Sequence, residues 1–113
     1  MNNDFYNVVE TSPELLWKKN SINKLEFENL HSFLWLAKLD RKNTKLITKK
    51  IISSWIDNFF NYSPDAWKME IIAKRIIAWS SNTDLTLENS NKIYKEKFFF
   101  SFIKQSNFLL KNF

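Results

Sequence analysis

Apolar residues return every three or four positions through most of this chain, the spacing of helices that turn one face to a core. The clearest case spans about 44–60. There Leu46, Ile47, Ile51, Ile52, Trp55, Ile56, Phe59 and Phe60 share one face, and Lys45, Lys49, Lys50 and Asp57 or Asn58 the other. An earlier stretch, about 26–39, carries Phe27, Leu30, His31, Phe33, Leu34, Leu36 and Leu39, dense enough to predict a helix buried on more than one side. Asp40-Arg41-Lys42-Asn43 interrupts it, with Asn43 as a prospective cap. A third helix is predicted over about 65–80. Ser63 can cap its first turn, Pro64 suits its first position, and Trp67, Ile71, Ile72, Arg75, Ile76 and Trp79 gather near one stripe. A polar loop from Ser80 to Asn91 leads to a last helix, about 91–112. Its stripe of Tyr94, Phe98, Phe102, Gln105, Ser106, Leu109 and Phe113 is widened by Phe99, Ile103 and Leu110.

These segments predict an all-α fold of about four main helices in antiparallel hairpins over residues 26–113, preceded by an irregular arm, 1–25. Within the arm, Ser12 to Trp17 can form one helical turn that anchors it through Trp17. The first and last helices carry more apolar surface than four helices can cover, because Phe98, Phe99, Phe100 and Phe102 point in several directions. A further surface, from the same or another chain, is therefore expected to lie against them.

Composition narrows the picture. At 113 residues the chain holds one domain or part of one. It has no glycine, which disfavours tight hairpin turns and rules out Gly-rich phosphate loops. Phe, Ile, Lys and Asn supply 51 of the 113 residues, all from AT-rich codons, so genome bias accounts for much of the lysine. The formal charge of +5 still favours polyanions, but the lysines are dispersed and form no concentrated basic run. Without cysteine there is no disulfide, thiol nucleophile or thiolate metal site. No signal peptide and no membrane-spanning run is visible, so a cytoplasmic location is expected, or a bacterial periplasm if the true start lies upstream.

Candidate chemistry is sparse. His31 has no cluster of carboxylates beside it with which to share a metal, so packing is its first reading; stacking on Trp35 or a bond to a backbone carbonyl would satisfy the ring. No metal, cofactor or catalytic residue is assigned. The five tryptophans read as core, or as platforms for the apolar face of a sugar ring, with Trp55 internal and Trp67 the best placed for exposure. Arg41 and Arg75 are the only arginines. Each can pair between helices, Arg75 with Glu70 or Asp40, or offer a planar fork to a carboxylate or sulfate.

Leu30-His31-Ser32-Phe33-Leu34-Trp35-Leu36, Ile52-Ser53-Ser54-Trp55-Ile56, Trp67 through Arg75-Ile76-Ile77-Ala78-Trp79, and Glu96-Lys97-Phe98 to Gln105-Ser106 and Leu109-Leu110 occur in one order. In that order and spacing the chain resembles the amino-terminal helical region of heparinase II/III-like polysaccharide lyases. The resemblance implies part of an incomplete α/α toroid, an acidic glycan, sulfated or not, as substrate class, and β-elimination as the reaction. In that reaction a Tyr or His takes the C5 proton of a uronate whose carboxylate is neutralised by Asn, His or Arg. The family's catalytic Asn-His pair and Tyr lie in later helices, so no catalytic role passes to His31, Tyr62 or Tyr94. What the resemblance offers is a substrate-binding set, Trp67, Arg75, Trp79, Arg41 and His31, in a segment expected to be silent alone. Its partners would be an acidic polysaccharide and the downstream toroid or β-sandwich region, or a second copy through the Phe-rich last helix. The competing reading is a small basic helical module that binds nucleic acid or another protein.

Overall fold

The computed structural model of the protein describes residues 12–18 and 23–113. Among these every regular element is helical, so the all-α expectation is met. Most of the expected arm, 1–25, lies outside the described residues, but its anchor is visible. After a single 3-10 turn, Pro13–Leu16, the Trp17 indole donates its N–H to Ser54 Oγ at 2.8 Å and meets the edge of Phe59.

Helix α1, Lys24–Ser32, begins with a reciprocal cap. Asn23 Oδ1 accepts from the Glu26 N–H, and Asn23 Nδ2 donates to the Glu26 carboxylate. The predicted helix over 26–39 does not run through. It stops at Phe33, whose φ of 60° lies in the left-handed region, and resumes as a 3-10 turn, Leu34–Lys38. Glycine usually fills such a position, and a bulky residue there is strained. Here the Phe33 ring is fully buried, stacked on Trp35 and edge-on to Trp55 and Trp79, while the Trp35 indole N–H satisfies the terminal carbonyl of Leu30. Aromatic burial outweighs the backbone cost.

Helix α2, Lys45–Phe59, follows its predicted pattern except that Leu46 and, just past its end, Phe60 are exposed. Asn43 is not its cap. Asp40 organises the preceding turn instead, accepting from the Lys42 N–H and from Asn43 Nδ2. The third helix also starts later than predicted, as α3, Met69–Ser81. Ser63 closes a separate turn, its carbonyl accepting from the Trp67 N–H, and the helix begins after Lys68. Burial of Trp67, whose indole N–H donates to the Phe59 carbonyl at 2.9 Å, holds the chain bent between the two.

The polar loop after α3 contains a helical turn, α4, Thr83–Thr86. Asn82 and Thr86 side chains donate to the carbonyls of Ala78 and Trp79, which the end of α3 leaves without helical partners. Helix α5, Lys92–Asn112, is capped by Asn91, which accepts from the Tyr94 N–H.

Among the four longer helices, α3 packs on α5, which follows it after the α4 turn, α1 packs on α3 and α2 on α5, while α2 and α3 meet mainly through long side chains. Trp55 and Trp79 cross edge-to-face at 5.5 Å, and Phe33 and Phe98 enclose the pair. A second cluster forms where Trp67, Ala66 and Ile72 meet Phe27, Phe59, Phe108 and Leu109.

Candidate functional site

Arg75 lies one turn after Ile71 and Ile72 and one turn before Trp79, so the pattern that makes α3 amphipathic carries its guanidinium into the core. It is 0 % exposed. Among the described residues no carboxylate meets it: neither Glu70 nor Asp40 is its partner. Nε donates to Gln105 Oε1 at 2.6 Å, and Nη1 donates to the carbonyls of His31 and Ala66 at 2.9 and 3.1 Å. The cation also lies 4.1 Å from the centre of the Trp55 ring. One guanidinium thus ties together α1, the turn before α3, α2 and α5. Burial pushes it below its ordinary value, to about 9, which leaves it cationic at neutral pH. Nη2 has no hydrogen-bond acceptor among the described residues.

His31 belongs to the same hub. Its ring stacks on Phe27 at 4.1 Å, meets Trp17 and Phe59, and accepts the Trp55 indole N–H at Nδ1. That bond places the proton of the neutral ring on Nε2. Trp35, the expected stacking partner, instead lies against Phe33. Burial first, and the Arg75 charge second, push the His31 imidazole down to about 3. A histidine held neutral in this way is a packing and hydrogen-bonding group at physiological pH rather than a proton donor.

The remaining members of the proposed binding set do not join in a common cleft. Trp79 is fully buried, and Trp67, expected to be the most exposed tryptophan, is 3 % exposed. Phe108 closes over Trp67 edge-on at 5.3 Å, which is why its place near a loop does not expose it. Arg41 is half-exposed and serves a different joint. It forks onto Asp84 through Nε and Nη2 at 2.7 and 2.6 Å and also donates to Leu36 O and Asn82 Oδ1. Asp84 first, by its hydrogen bond, raises the Arg41 guanidinium, and Arg41 in turn lowers the Asp84 carboxyl. Among the described residues no three His, Cys, Asp or Glu side chains converge.

The last helix divides by face. Tyr94, Phe98, Ser101 and Gln105 point inward, and the Tyr94 hydroxyl donates to the Thr86 carbonyl; burial pushes that phenol above its ordinary value. On the opposite side Phe100, Ile103 and Leu110 are 67, 54 and 77 % exposed, with Ile93 and Phe99 open beside them. Lys92, Lys95, Glu96, Phe99, Phe100 and Ile103 line a shallow groove of about 240 Å³ there. The expected excess of apolar surface on the last helix is thus present.

Comparison with protein-family models, with curated proteins and with solved structures finds no match. The residues that sequence reasoning did not connect are Gln105, which receives Arg75, and Asp84 with Asn82, which receive Arg41. A neutral polar residue inside an otherwise aromatic stripe was the available signal for Gln105. Asp84 lies 43 positions from Arg41 with no periodic link to it.

Proposed function

We propose that this chain is a helical scaffold segment that works by docking, of the kind from which a larger α/α ring such as the toroid of heparinase II/III-like lyases is assembled. The observation that carries the reading is the uncovered apolar outer face of α5, on a helix whose other face closes the core. A self-sufficient bundle would turn lysine or glutamate outward at Phe100 and Ile103. The burial of Trp67, Arg75, Trp79 and His31 supports a structural part for these residues, so any acidic glycan would be met by other surfaces of the assembled ring.

The test offers purified chain to heparin, hyaluronan and alginate and follows the ultraviolet absorbance of unsaturated uronate. The expected outcome is no turnover; sustained eliminative cleavage that scales with protein concentration would overturn the scaffold reading. Salt-dependent binding to duplex DNA in the same series would favour the basic nucleic-acid module instead.

A further inference from the structure

The open face of α5 has a register. Ile93, Phe100 and Asn107 are spaced by seven, as are Glu96, Ile103 and Leu110, and the two rows alternate by three and four. That is the seam of a helix that receives another helix, with an apolar centre at Phe99, Phe100 and Ile103 and polar positions at Glu96 and Asn107 on either side. A stripe this spaced, on a helix 21 residues long, offers a partner about 26 Å of groove from Ile93 to Leu110.

Area and charge then select the occupant. The exposed portions of Ile93, Phe99, Phe100, Ile103 and Leu110 sum to about 600 Å², below the roughly 800 Å² per partner of a stable interface. The bordering side chains must therefore take part, and they are Lys92, Lys95 and Lys111 against Glu96 alone, which is itself 3.9 Å from Lys92. Lys97 and Lys104 on the inner border are already engaged, Lys97 with Asp57 and Ser53 and Lys104 with Asn61 and the Phe60 ring. Two copies face to face would set lysine borders against each other in a chain of net charge +5. We infer that the outer face of α5 receives an amphipathic helix with an apolar seam and acidic borders, supplied by a partner chain. This rests on the docking reading above and names what docks.

The experiment uses two labelled three-heptad peptides, both with Leu at the seam positions, one bordered by Glu and the other by Lys, titrated into the protein by fluorescence anisotropy. The Glu peptide is expected to bind at least about tenfold more tightly than the Lys peptide and to lose that advantage in high salt. Phe100→Asp and Ile103→Asp should each weaken it by about tenfold or more while leaving the circular-dichroism melt in place, since both side chains are outside the core. Equal binding of the two peptides overturns the acidic assignment. So do failure of both peptides with a dimer in sedimentation that Phe100→Asp dissolves, and loss of pelleting with phosphatidylserine–phosphatidylcholine vesicles in Ile103→Asp; either leaves docking by α5 intact with another occupant. If neither peptide binds and Phe100→Asp and Ile103→Asp change neither sedimentation nor pelleting, the face is inert, and the docking reading falls with the inference.

Discussion

The two faces of α5 are built from similar residues and treated in opposite ways. On the inner face, Phe98 and Tyr94 lie among the tryptophans and the helix's own polar side chains are bonded, Gln105 receiving Arg75 and donating to Ser101 Oγ at 3.0 Å. On the outer face, Phe99, Phe100 and Ile103 meet solvent with no element of the described chain above them. Phenylalanine by itself says nothing about which side is the core. What separates the faces is the presence of neighbours that order the inner side chains and offset their lost conformational freedom.

The sharpest way to test that contrast is to empty the inner face. Arg75→Ala removes the guanidinium from Gln105 and two carbonyls and leaves a cavity beneath Trp55, which should cost about 3–5 kcal/mol in urea unfolding. Arg75→Met with Gln105→Leu keeps volume and removes the Arg75–Gln105 pair together, but leaves the His31 and Ala66 carbonyls without their donor, and should recover only part of that loss. A loss below about 1 kcal/mol for Arg75→Ala would mean that the hub does not hold the elements together.

Acid should reach the same hub through His31. In the unfolded chain the imidazole takes up a proton below about 6.5, whereas in the fold it stays neutral down to about 3. The unfolded state therefore binds more protons throughout that window, and stability, complete above pH 6.5, falls as pH drops, by up to about 1.4 kcal/mol per unit. Urea midpoints measured from pH 7 to pH 4 should trace this slope, and His31→Gln should flatten it. An unchanged slope in His31→Gln would remove His31 as the cause.

A smaller effect is expected at the half-exposed Arg41 fork. Arg41→Ala should lower stability by about 1 kcal/mol, since solvent and salt screen the pair with Asp84. The carbonyl of Leu36 and the Asn82 side chain lose a donor as well, so a null result in thermal melts would show that the turn before α2 holds without them. Smallest of all are the outer-face changes, Phe100→Asp and Ile103→Asp, which should move unfolding by less than about 0.5 kcal/mol.

The helical class, the amphipathic face of α2 and the surplus of apolar surface on the last helix could be read directly, because period and density are local properties of the chain. The break at Phe33 could not. A phenylalanine with positive φ is locally unfavourable, and only the aromatic cluster of Trp35, Trp55 and Trp79 makes it the lower-energy choice. The late start of α3 has the same origin, since Ser63 and Pro64 favour a helical turn at once and the burial of Trp67 decides that the turn stays separate.

For the candidate residues the division runs between type and partner. Sequence alone determined that Arg75 sits on an apolar stripe and must find acceptors, and that His31 has no cluster of carboxylates beside it. Only the tertiary structure decided that the acceptors are Gln105 and two carbonyls, that Trp67 and Trp79 are enclosed, and that Phe100 and Ile103 are open. Periodicity fixes which side chains share a helix face, but which face meets protein and which meets water depends on how distant helices pack, and no local spacing encodes that.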